Sequence, residues 1–226
     1  MRREQIEAYR RAIADEKIVS YLDNEVREAI AVLKMIREII GLLDGMQPAR
    51  FKTVMEELNK SKESIEIIHR DLLTYISRVS PSLSHREDWL RASYKVRNSV
   101  DKLSGVISRL EFLVSRGWAM TPPVKEGIKY LAESVTEMMT MFRKLVNVSL
   151  MSPDDALNMC TEVFSKEAEV DSKFRSATFS ILSANLSPNT IILLLNIAEM
   201  LEDVSDTLTS ATEDLYIILS SMRRYR

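Results

Sequence analysis

The stretch Val124–Leu145, VKEGIKYLAESVTEMMTMFRKL, sets apolar side chains at Val124, Ile128, Leu131, Val135, Met138, Phe142 and Leu145. Steps of three and four residues place all seven on one face of an α-helix. The same steps run through Leu22, Val26, Ala29, Leu33, Ile36, Ile40 and Leu43, each 102 positions earlier. A second pair of stripes repeats in the same way. Ser93, Val96, Val100, Leu103, Ile107, Leu110 and Val114 recur 105 positions later as Ala198, Leu201, Ser205, Leu208, Thr212, Leu215 and Leu219. Any two heptad helices can be slid into register, so one match carries little. Two matches at nearly one offset, with helix starts near 48 and 153, point to a duplicated three-helix unit.

The breaks between stripes carry helix-start chemistry. Thr121-Pro122, Ser152-Pro153 and Ser187-Pro188 each put a hydroxyl at the cap position and proline at the first helical residue. Ser84 with Glu87 has the spacing of a capping box. The resulting expectation is an all-α fold with helices over 15–44, 48–79, 85–117, 122–150, 153–185 and 188–222, and 1–14 as a helical extension. These six antiparallel helices form one domain over 1–226, with repeat one over about 15–118 and repeat two over about 122–222. Only five glycines and six prolines interrupt the chain, which suits long helices rather than a turn-rich β protein.

Composition narrows the function. A net charge of −2 gives no basic signature for nucleic acid. The single cysteine, Cys160, excludes an internal disulfide framework and suits a reducing cytoplasm. MRREQIEAYRR leads into charged sequence, unlike a secretory signal. No Gly-rich phosphate loop or nucleophile elbow is present. His69 and His85, the only histidines, are not read as ligands; His85 is expected in a helix cap.

The acids are unevenly placed. From Ser176 to Met222 there is no Lys, Arg or His, yet Glu199, Glu202, Asp203, Asp206, Glu213 and Asp214 all fall there. Glu202 and Asp206 lie one helical turn apart on one face. In the preceding helix, Glu167 and Asp171 occupy consecutive places in the pattern Leu157, Cys160, Phe164, Glu167, Asp171, Phe174, Thr178, Ile181. An unpaired buried ion costs several kcal/mol. The pair must therefore be solvated, matched by a cation such as Lys166 or Lys173, or protonated. Four carboxylates from two adjacent helices suit a hard cation, which would replace the missing basic residues. The bland alternative is a solvated acidic face. In the first repeat Glu202 corresponds to Arg97 and Asp206 to Asp101, while Asp71 lies on the preceding helix, so a weaker site is expected there.

Three stretches carry a family resemblance: SHREDWLRASYKVRNSVDKL (84–103), KEAEVDSKF (166–174) and EMLEDVSDTL (199–208). Together they resemble the PhoU-like phosphate-uptake regulators, most closely the short branch of accessory proteins of Pit-type phosphate transporters. The resemblance implies a metal ion (iron, manganese, magnesium or zinc) held by Glu167, Asp171, Glu202 and Asp206, with Asp71 and Asp101 remaining from the first repeat. Ile67 and Arg97 depart from the family pattern. It further implies a cytoplasmic regulator that acts by contact with a phosphate transporter or its regulatory proteins. Such a role would bring it near a membrane and is compatible with a homo-oligomer. It implies no catalysis. A carboxylate-only metal-dependent hydrolase and a purely structural bundle are the rival readings.

Overall fold

A computed structural model describes residues 2–43, 48–83 and 85–224. Six helices follow one another: α1 (Arg2–Leu42), α2 (Pro48–Val79), α3 (Arg86–Ser115), α4 (Pro122–Val148), α5 (Pro153–Leu182) and α6 (Pro188–Arg224). A short 3₁₀ turn, Ser80–Ser82, follows α2. The helices run alternately up and down. α1, α3, α4 and α6 form a central four-helix body in which α3 packs on α6 and α1 on α4. α5 lies outside against both α4 and α6, and α2 lies outside against α1. One difference between the halves stands out. α5 packs along α6, whereas α2 touches α3 at few places.

The apolar stripes form this core. All seven α4 positions from Val124 to Leu145 are fully buried, as are Leu22, Val26, Ala29, Leu33, Ile36 and Ile40 of α1. Removing such side chains from water is worth about 1.5–3 kcal/mol each, which outweighs any propensity difference between these residues. Charged pairs clamp the two halves at the edge of the core. Arg143 of α4 donates from Nε to Asp23 of α1 at 2.7 Å. Arg37 of α1 reaches Glu133 of α4 at 2.5 Å.

The helix ends only partly follow the expected chemistry. Ser187 does cap α6, its Oγ accepting from the Thr190 amide at 3.2 Å. Thr121 and Ser152 stand at the cap positions of α4 and α5, but neither side chain accepts an amide. Proline fixes the first turn at both starts, and the capping hydroxyl is not engaged. Ser84, the expected capping-box residue, lies outside the described residues. His85 is the residue preceding α3, as expected, with Nδ1 3.4 Å from Asp88 and Nε2 2.6 Å from Ser221 Oγ of α6. The other end of α3 closes through Gly117 at φ +64°, a conformation only glycine adopts without strain. Its amide donates to Val114 and the Trp118 amide to Leu113, at 3.0 and 3.1 Å. That double closure brings Trp118 edge-on to Phe112, with ring centroids 5.7 Å apart.

Candidate functional site

Glu167 and Asp171 of α5 face Glu202 and Asp206 of α6 along the seam between the two helices. Their placement differs from the expected one. The buried stripe of α5 runs through Ala156, Cys160, Val163, Val170, Ala177 and Ile181. It passes one residue beside the carboxylates, because small and β-branched residues fill the narrow space against α4. At Gly127 of α4 an added Cβ would stand 3.2 Å from the Ala177 backbone, which shows how close the two helices come. Glu167 and Asp171 therefore sit half-buried on the flank, so they do not interrupt the core.

Half of the puzzle of α6 resolves without a metal. Lys102 of α3 reaches Asp203 at 2.5 Å. Lys95 and Arg91 of α3 reach Asp214 at 2.8 and 3.1 Å. Basic residues missing between Ser176 and Met222 are thus supplied by α3, and Glu199 and Glu213 are exposed to water. Contrary to the expectation that a metal replaces the missing basic residues, Asp203 and Asp214 are balanced by α3.

What remains is the seam itself. Among the described residues, Glu167, Glu202 and Asp206 have no ion-pair partner, and Asp171 has only Arg175, one turn along α5, at 3.6 Å. Lys166 turns the other way, to Glu137 and Glu169 at 2.6 and 2.8 Å. Burial, then repulsion from Asp206 and Asp171, pushes the Glu202 carboxyl from its ordinary 4.5 up to about 7. Burial followed by the negative charge of Asp171 and Asp206 raises Glu167. Asp206 is raised by burial and by Asp171 and Asp203. Glu202 feels the charge of all three other carboxylates, and Glu167 and Asp206 both feel Asp171, so the α5–α6 seam is one electrostatic unit.

The donor chemistry of this seam, all oxygen and all anionic, fits a hard cation. The positions of the side chains are more open: among the described residues, no group of three or more His, Cys, Asp or Glu side chains is closed around a common point.

The first half is built differently. Asp71 is exposed on α2 and has no charged or hydrogen-bonding partner among the described residues. Asp101 pairs with Arg97 one turn away at 3.0 Å, and Arg97 also approaches Glu66 at 3.7 Å. Beneath them lies a pair that sequence reasoning missed. Glu25 of α1 is fully buried, and His69 Nδ1 of α2 stands 3.3 Å from its carboxylate. Tyr94 of α3 meets the His69 ring edge-on at 5.8 Å. Burial raises the Glu25 carboxyl, against the lowering effect of His69 and Arg97. Although Glu66 and His69 have Glu-x-x-His spacing, their side chains part: Glu66 is exposed beside Arg97, and His69 is buried against Glu25. A signal for Glu25 did exist. It lies three residues after Leu22 and four before Ala29, on the buried stripe. Its counterpart by the 102-residue offset is Gly127.

Cys160 is buried as expected, and burial pushes its thiol up to about 12, which leaves it inert as a nucleophile.

No protein-family model matches the chain, and no curated protein resembles it in sequence at a significant level. Solved structures do resemble it in fold. A protein from Shewanella oneidensis MR-1 described as a PhoU-like phosphate regulatory protein superposes with a TM-score of 0.65, covering 90% of this chain and 99% of its own. The fold is PhoU-like. A second structure, of a PhoU-like protein from the same organism, gives a TM-score of 0.64 over the same shares. Identities of 10% and 11% make this a likeness of backbone, since few side chains are shared.

Proposed function

We propose that this chain is a cytoplasmic regulator or accessory protein of inorganic phosphate transport. It works by contact with a transporter or its regulatory proteins, and it binds a metal ion at the α5–α6 seam. The observation that carries the metal part is the unrelieved set Glu167, Asp171, Glu202 and Asp206, with Glu202 pushed up to about 7 and, among the described residues, no lysine or arginine turned to it except Arg175 beside Asp171. The carboxylates are half-buried or exposed, so their rotamers are free to converge on an ion. Iron, manganese, magnesium or zinc suits this donor set, the first three best matching all-oxygen ligation. Asp71 and Asp101 offer a poorer site, because Arg97 already neutralises Asp101. The phosphate part rests on the fold shared with proteins described as phosphate regulators. The Pit accessory role is the narrower form of this reading. A tandem pair of three-helix repeats would place one acidic seam in each half, with only the second retained.

The test is genetic. Deleting the gene in its own cell should alter phosphate uptake at a fixed external concentration, and the wild-type gene should restore it. A chain carrying Glu167→Gln and Glu202→Gln should be expressed at the same level and fail to restore it. Uptake unaffected by the deletion would rule the reading out.

A further inference from the structure

The turn between α5 and α6 belongs to a different kind of surface. From Ser176 to Ala198, 23 consecutive residues carry no charge, in a chain that is 28% charged. The outer face of this hairpin tip exposes three large apolar side chains: Phe179 at 65%, Leu182 at 56% and Ile192 at 60%. Apolar residues scattered singly on a surface need no explanation, but three grouped at one helical tip do. A shallow groove continues the surface to the start of α4, lined by Thr121, Pro123, Phe179, Ser180 and Ser183. Because the helices alternate in direction, the Phe112–Trp118 pair that closes α3 stands at this same end. The Arg116 guanidinium lies 5.0 Å over the Phe112 ring.

Charge decides what this end can meet. From Glu111 to Lys129 the chain has three cations (Arg116, Lys125, Lys129) against two acids, Glu111 and Glu126, the latter 3.7 Å from Lys129, although the whole chain is net negative. The acids of α6 are held away. Glu199, the first of them, is eleven residues beyond Pro188, about 16 Å along the helix. That exceeds the screening length of about 8–10 Å at physiological salt. The end therefore presents apolar and aromatic side chains inside a basic rim, with the acidic body behind it.

We propose that this end of the bundle docks on an anionic lipid surface. Phe179, Leu182 and Ile192 would enter the boundary between headgroups and acyl chains, Trp118 would sit at headgroup depth, and Arg116 would face lipid phosphates. No helix among the described residues is long and apolar enough to cross a membrane, so the contact is peripheral. It involves none of the seam carboxylates and does not depend on the metal reading.

The test is co-sedimentation of the full chain with phosphatidylcholine vesicles containing about a third phosphatidylglycerol, with sedimentation velocity run in parallel without lipid. The wild type is expected to pellet with these vesicles and to be released by high salt. The triple variant Phe179→Ser, Leu182→Ser, Ile192→Ser changes only exposed side chains, and its folding is checked by circular dichroism. It should bind about tenfold more weakly or worse. Arg116→Glu should weaken binding to anionic vesicles as well. A wild type that stays in the supernatant, or a triple variant that pellets equally, overturns the proposal. A lipid-free wild-type dimer that the triple variant turns into a monomer also overturns it, since the tip then belongs to a second copy.

Discussion

Replacing Glu202 by Gln in the metal-stripped protein should stabilise it at pH 8 and leave it nearly unchanged at pH 4.5. The carboxyl of Glu202 is raised by burial and by Asp206 and Asp171 from 4.5 to about 7. A group whose folded value lies above its unfolded value gives its full favourable contribution below the unfolded value. That contribution is lost as pH rises through the folded one. The wild type thus loses stability between about pH 4.5 and 7 as Glu202 ionises against its neighbours, whereas the amide has no such loss. The full separation would correspond to about 3.4 kcal/mol. Glu202 is only half-buried, and solvent screens its repulsion, so about 1–2 kcal/mol is the expected gain. For a chain of this size that raises Tm by about 3–6 °C. Thermal melts followed by circular dichroism, in chelator at both pH values, read the difference directly. An equal shift at the two pH values, or a variant less stable at pH 8, would refute the reasoning that the seam carboxylates repel one another.

Asp23→Asn breaks the clamp between α1 and α4. Hydrogen bonding from Arg143 holds the Asp23 carboxyl below the usual range, so its contribution is present above the unfolded value and lost as pH falls through the folded one. Urea titrations should show a loss of about 1 kcal/mol at pH 7 that disappears in strong acid. Lys95→Met leaves Asp214, whose side chain is 5% exposed, with Arg91 as its remaining cation, and should cost about 1–3 kcal/mol in the same assay. Arg97→Glu would give the first half the acid that Glu202 supplies in the second. Its position beside Glu25, Glu66 and Asp101 instead predicts destabilisation by about 2–3 kcal/mol without a gain in bound metal, checked by melting and by elemental analysis.

The helices were legible because periodicity is a local property, and a stripe such as Val124 to Leu145 can be read without knowing its partner. The buried stripe of α5 lies about one position from the expected one for the same reason. Phe164 and Phe174 look like core residues, but the space against α4 admits only side chains such as Val170 and Ala177. The pairing of Glu167 and Asp171 with Glu202 and Asp206 was legible because each pair sits at helical spacing and the two helices are consecutive. Long-range neutralisation was not. Lys95 and Asp214, or Glu25 and His69, meet only once the bundle has formed, and nothing in either local sequence marks the partner. The caps show a third limit: a hydroxyl before proline marks a helix start at Thr121 and Ser152 without forming the bond that usually accompanies it.

Whether a cation occupies the α5–α6 seam is tested most directly by melting the chelator-stripped wild type with and without added Mn²⁺, Fe²⁺, Mg²⁺ or Zn²⁺, beside the Glu167→Gln, Glu202→Gln variant. A bound ion at a hundredfold excess over its Kd stabilises by about 2.7 kcal/mol, which raises Tm by about 5–10 °C. The account predicts that rise for the wild type with at least one of these metals, and none for the variant. A wild type whose melting is indifferent to all four, or a variant that responds equally, contradicts it.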